Sequence, residues 1–190
     1  MPRQVHLFDR PTRFVAGTVG QPGDRTFYLQ ASDDTGRTVS VALEKTQVQI
    51  LADRMSELLD EVAGRPNTVI PPDADVDDLE PLTAPVDEEF RVAAMGLAWN
   101  GDIGLVVIEA QAPVETAEEA EQTLLEDVED GPDALRVLIE PREARSFVER
   151  ARAVVAAGRP PCPLCGQPLD PSGHVCVRLN GYHRGVALNP

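Results

Sequence analysis

The residues best suited to chemistry lie near the end of the chain. All three cysteines and two of the three histidines fall between Cys162 and His183. Cys162-Pro-Leu-Cys165-Gly has the composition of a metal knuckle: two thiolates two residues apart converge on one ion when the chain turns tightly between them, and Gly166 permits that turn. Backbone amides in such a turn can donate to the sulfurs. Cys176 is the obvious third ligand. The fourth is His174 or His183. His174 is favoured, because the loop Asp170-Pro-Ser-Gly173 delivers it opposite the cysteine pair; His183 lies across the turn Asn180-Gly181. The set Cys162, Cys165, His174 and Cys176 would close a structural zinc site. With three protein ligands, the open position would permit metal-assisted hydrolysis. The competing readings are free thiols or a redox C-x-x-C, but redox motifs open a helix after a strand, and this one is fenced by Pro160, Pro161 and Pro163.

No other motif offers comparable chemistry. His6 with Asp9, and Asp102 with Glu109, could be named as acid/base pairs, but isolated pairs of this kind are commonly surface residues or caps. Gly101-Asp-Ile-Gly104 reads as a turn, and there is no phosphate loop or nucleophile elbow. The alternating acids Asp73, Asp75 and Asp77 lack the glycine and terminal glutamate of a calcium loop.

Charge narrows the partners. The chain of 190 residues carries a net −15, which argues against general nucleic-acid binding. Residues 141–190 hold seven arginines and three acids, net +4, leaving −19 on residues 1–140. Sixteen of the seventeen basic residues are arginine, and Lys45 is the only lysine. RNA or DNA binding through the zinc tail and the last helix (Arg142, Arg145, Arg150, Arg152) is therefore a secondary reading. There is no signal-peptide design and no apolar run of membrane-spanning length, so a cytoplasmic location with no membrane is expected. In that compartment cysteines at this spacing favour metal over disulfide.

Several elements must position the tail. Residues 1–12 read as a polar lead-in. Strands are expected at 13–19, 25–32 and 37–43, separated by Gly20-Gln-Pro-Gly23 and Asp33-Asp-Thr-Gly36. A helix follows from Lys45 to Ala63, its apolar stripe being Val48, Leu51, Met55, Leu58, Leu59 and Val62, with Thr46-Gln-Val-Gln49 fitting a capping box. Residues 65–88 form a Pro/Asp-rich linker. Further strands are expected at 89–99, 103–111 and 134–140, with a hairpin turn at Asn100-Gly101-Asp102. The acidic stretch 113–131 reads as an insertion that is either helical from Thr116 or a solvated loop. A last helix spans 141–157, with Pro141 in its first turn.

The two halves match. Thr26–Ala31 aligns with Leu105–Ala110 at an offset of 79, where Gly17 also falls on Gly96. Beyond the acidic stretch the offset is 96, and Val39, Val41 and Leu43 fall on Leu135, Val137 and Ile139. Both helices end in Ala-Gly-Arg-Pro. The expected architecture is α+β: two repeated β-β-β-α units, each an antiparallel meander plus a helix, sharing a core. The units are 1–64 and 89–158, joined by 65–88 and followed by a zinc-knuckle tail, 159–190. One sheet or two remains open at this level.

The opening FDRPTRFVAGTVGQPGDRTFYLQ and the closing CPLCGQPLDPSGHVCVRLNGYHR resemble an uncharacterised family of conserved actinobacterial proteins over essentially the whole chain. The resemblance implies this length and a C-terminal Cys/His cluster, and it implies no established activity. The family's tail favours Pro after the last cysteine and Arg at the second-last motif position. Val177 and His183 stand there instead, which again favours His174 as ligand. The leading expectation is a non-enzymatic, zinc-stabilised binding or regulatory module with a protein partner. Nucleic-acid binding and an enzyme of unknown reaction are the alternatives.

Overall fold

A computed structural model describes residues 2–65, 70, 78–158, 162–167, 169, 174, 176 and 178. The linker prolines 66, 71 and 72 and Asp73, Asp75 and Asp77 lie outside the described residues. The architecture is α+β, with two four-stranded sheets and three helices.

The first half builds an antiparallel meander from β2 (Arg13–Gln21), β3 (Asp24–Ser32) and β4 (Thr38–Leu43). Its side chains alternate as a pleated strand requires: Phe27, Leu29, Ala31, Val39, Val41 and Leu43 enter the core. The second half repeats the design with β6 (Ala94–Asn100), β7 (Leu105–Gln111) and β8 (Ala134–Ile139). There Val106, Ile108, Ala110, Leu135, Val137 and Ile139 point inward.

Each meander gains a fourth strand that sequence periodicity did not separate. The expected lead-in contains β1 (Val5–Asp9), which runs parallel to β8 and completes the second sheet. Its alternation is inverted with respect to polarity. Phe8 is buried and His6 nearly so, whereas Val5 and Leu7 face outward. The expected strand 89–99 is two strands. β5 (Glu88–Arg91) runs parallel to β4 in the first sheet, and β6 belongs to the second. The chain crosses between them at one peptide: Val92 N–H donates to Ala42 O at 2.7 Å and Ala93 N–H to Gln111 O at 2.9 Å. Apolar periodicity runs through this crossing, so it reads as one strand.

Helix α1 (Lys45–Ala63) follows β4. It buries Val48, Leu51, Ala52, Met55, Leu59 and Val62, five large side chains among them, each contributing roughly 1.5–3 kcal/mol of transfer free energy. Its capping box starts at Glu44, not Thr46: the Glu44 side chain accepts from the Gln47 amide, and Gln47 Oε1 accepts from Glu44 N–H at 2.7 Å. The strand ends at Leu43, so the next residue must already satisfy the helix's free amides. The short helix α2 (Ala117–Thr123) is capped by Thr116, whose hydroxyl accepts from Glu119 N–H at 3.2 Å. The last helix, α3 (Pro141–Ala156), is capped by Glu140 in the same way as α1. Helices α1 and α3 pack on one another, α3 crosses β2, and α1 approaches β6. Both sheets and both long helices share one apolar core.

The outer faces of the sheets are covered too. The acidic stretch is not a solvated loop. Its helix stops at Thr123, Leu125 turns with φ +64°, and Leu124 and Leu125 close over Gly96 of β6. On the first sheet Leu82 closes over Gly17 of β2 in the same manner. Gly96 and Gly17 leave room where a Cβ would lie 2.8 Å and 2.5 Å from these leucines. The offset that aligns these two glycines in sequence does not hold in the ladders: Gly17 pairs with Tyr28, whereas Gly96 pairs with Glu109. The β6–β7 turn, 101–104, is two residues longer than its counterpart at Pro22-Gly23, which shifts β6 against β7.

Candidate metal centre

The knuckle forms as a tight turn after α3. Gly166 N–H donates to Cys162 O at 2.8 Å, and Cys162 N–H donates to Gln167 O at 2.7 Å. Gly166 adopts φ +74°, a conformation that costs a Cβ-bearing residue energy. This geometry aims the amides of Cys165 and Leu164 at the Cys162 sulfur. Those hydrogen bonds hold its thiol below the ordinary range.

The turn brings Cys162 and Cys165 to Cys176 and His174. One ligand atom from each of the four lies within 4.8 Å of every other. Cys162 Sγ and Cys176 Sγ are 3.9 Å apart, and Cys165 Sγ is 3.1 Å from His174 Nε2. A tetrahedron with metal–sulfur bonds of about 2.3 Å has sulfur–sulfur edges of about 3.8 Å. The four side chains could together hold one metal ion, with His174 presenting Nε2 to the cluster. All three cysteines are free thiols. Cys162 and Cys176 are buried, while Cys165 and His174 are half-buried.

The Gln167 amide lowers the Cys165 pKa, but burial and the neighbouring Cys176 and Cys162 sulfurs outweigh it and push it up. Three thiolates this close repel one another, and a divalent ion removes that repulsion by coordinating them. The alternative ligand His183 lies outside the described residues. So do the loop 170–173, Arg159, Tyr182 and Arg184. Arg178 is described and exposed.

The other candidate residues do not assemble into a reactive set. His6 Nε2 faces Glu89 Oε1 at 3.5 Å, while Asp9 pairs with Arg10. Residues 6 and 9 point to opposite sides of a strand. Glu109 is sealed inside the second sheet, and Asp102 sits on an exposed turn. The arginines of α3 are engaged. Arg145 pairs with Asp60, and Arg152 pairs with Asp53 and Glu149. Arg150 is buried, donating from Nε to Ala16 O at 2.9 Å and from Nη2 to Glu80 O at 2.6 Å, and it pairs with Asp78. Arg142 has partners of its own.

Two polar clusters escaped sequence reasoning. Glu109 is fully buried and accepts from Arg3 at 2.5 Å, Arg136 Nε at 2.6 Å, Gln111 Nε2 at 2.8 Å and Leu125 N–H at 3.2 Å. Asp78 is gripped by Arg13 and Arg150, and the Arg13 hydrogen bond, first among several causes, holds its carboxyl below 3.8 despite burial. The one available signal was a charged residue inside an apolar strand, Glu109 in Leu-Val-Val-Ile-Glu-Ala-Gln. Such a residue must be paired if it is buried.

Residues 6–176 match a family model described as a protein of unknown function, DUF3090. No curated protein and no solved structure matches the chain. No described helix is long and apolar enough to cross a membrane.

Proposed function

Taking the chain as a member of the DUF3090 family, which covers residues 6–176, we propose that it is a non-catalytic, zinc-stabilised binding or regulatory module acting through a protein partner in the cytoplasm. The observation that carries this reading is the convergence of Cys162, Cys165, His174 and Cys176 on a single point. Three thiolates and one imidazole in tetrahedral array are a donor set suited to zinc. Four protein ligands fill its coordination shell, so zinc would supply folding energy to the tail rather than a position for substrate.

A protein partner is favoured over nucleic acid because the arginines of α3 are already paired or buried. What remains outward on the insertion is acidic, including Glu118, Glu119, Glu121 and Asp127. Such a ridge repels phosphate and suits a basic protein surface. We also take the matching strand order and sense of the two halves as the mark of an internal duplication, in which the first strand of each half completes the sheet of the other.

Elemental analysis of the purified protein tests the metal reading. One zinc per chain is expected, with loss in both Cys176→Ser and His174→Ala. Zinc kept in His174→Ala and lost in His183→Ala would move the fourth ligand to His183. A chain without metal would overturn the proposal.

A further inference from the structure

We infer that Cys165 is an oxidation site through which a hydroperoxide converts the metal-bound knuckle into a metal-free disulfide. The inference rests on the metal reading above and adds a regulation of the same site. Among the three cysteines, Cys165 alone is half-buried rather than fully buried. It follows Leu164, which is 47% exposed, on the outer side of the turn, whereas Cys162 and Cys176 are 6% and 3% exposed. An oxidant arriving from solvent therefore meets Cys165 first. A reactive thiolate needs both access and a partner, and both Cys162 and Cys176 lie within 4.8 Å of it.

The chemistry is self-contained apart from the hydroperoxide. The Cys165 thiolate attacks one oxygen of hydrogen peroxide, the O–O bond breaks, and hydroxide leaves, giving a sulfenic acid. A neighbouring cysteine thiolate then attacks that sulfur and expels a second hydroxide. Two thiolates are oxidised by two electrons, hydrogen peroxide is reduced to two hydroxides, and one S–S bond forms. The sulfurs must close from contacts within 4.8 Å to about 2.05 Å, which pulls them off the corners of the tetrahedron. A disulfide carries no negative charge to hold a divalent ion. The metal would be left with one thiolate and His174, too few for a closed site.

The test uses the full-length zinc-loaded protein and hydrogen peroxide, with a chromophoric chelator reporting released zinc. One equivalent of peroxide per chain is expected to release one zinc, consume two thiols, and leave a disulfide containing Cys165 in the peptide map. Dithiothreitol with added zinc should restore the starting state. Zinc that stays bound through a tenfold excess of peroxide would overturn the inference, as would Cys165 passing to sulfinic acid with no disulfide. A chain purified without zinc would fail the earlier metal reading, whereas a zinc-loaded chain inert to peroxide would fail only this one.

Discussion

Gln30 and Glu109 occupy the same place in the two sheets. Phe27 pairs with Leu43 and Gln30 with Ser40; Val106 pairs with Ile139 and Glu109 with Arg136. Each lies three residues beyond its reference pair, on the outer face, completely buried. Each fastens a covering segment: Gln30 exchanges hydrogen bonds with the Thr83 backbone at 2.7 and 3.0 Å, and Glu109 accepts from the Leu125 amide. The amide serves a segment that Arg13 and Arg150 also hold. The carboxylate serves one held by Arg3 and Arg136.

The Glu109 cluster should be costly to break. Glu109→Ala removes the buried counterion of Arg3 and Arg136, which are themselves largely buried, and leaves Arg136 only the exposed Asp127. Loss of about 3–5 kcal/mol in urea unfolding is expected. A loss under 1 kcal/mol would mean that the arginines find water instead.

Asp78 should make the first-sheet cover sensitive to acid. Its folded-state pKa is depressed below 3.8 by Arg13 foremost, so the stability it carries is complete above that value and is lost as pH falls through the folded one. The urea midpoint should drop below about pH 4, and Asp78→Asn should remove part of that drop. Parallel pH profiles in the two proteins would show that the clamp carries no proton-linked stability.

Gly96 should report whether the insertion stays seated in solution. An added Cβ would meet Leu125 Cγ at 2.8 Å and Leu124 Cγ at 2.9 Å. Gly96→Ala is expected to cost about 1–3 kcal/mol, and Leu125→Ala beside it should recover part of that cost. Strictly additive costs would indicate an insertion lifted off the sheet.

Metal removal should leave the body standing. The shared core and the side chains packed on it end at Val155, before the knuckle begins. Chelation should shift the main thermal transition by less than about 3 °C while making the segment around Cys162–Cys176 open to protease. A collapse of the main transition would show that the tail is part of the folding unit.

Much of this protein could be read from its residues alone, wherever the signal was local. Val48 to Val62 and Ala144 to Val155 recur at helical spacing, so the helices and their buried faces followed. Cys162 and Cys165 are separated by two residues and followed by a glycine, so the turn that holds them followed. The α+β class came from strand alternation and turn residues. Contacts between distant segments were beyond local patterns. Whether Val5–Asp9 pairs at all depends on β8, well over a hundred residues away, and Val92 divides one apolar run because two sheets compete for consecutive amides. The acidic stretch reads as either a helix or a solvated loop because the groups that fasten it, Arg3 and Arg136, come from other segments. Side-chain period and turn chemistry are properties of neighbouring residues, and they settle which elements form. Strand exchange between sheets and the burial of Glu109 depend on which surfaces remain uncovered once those elements pack, and only the tertiary structure decides that.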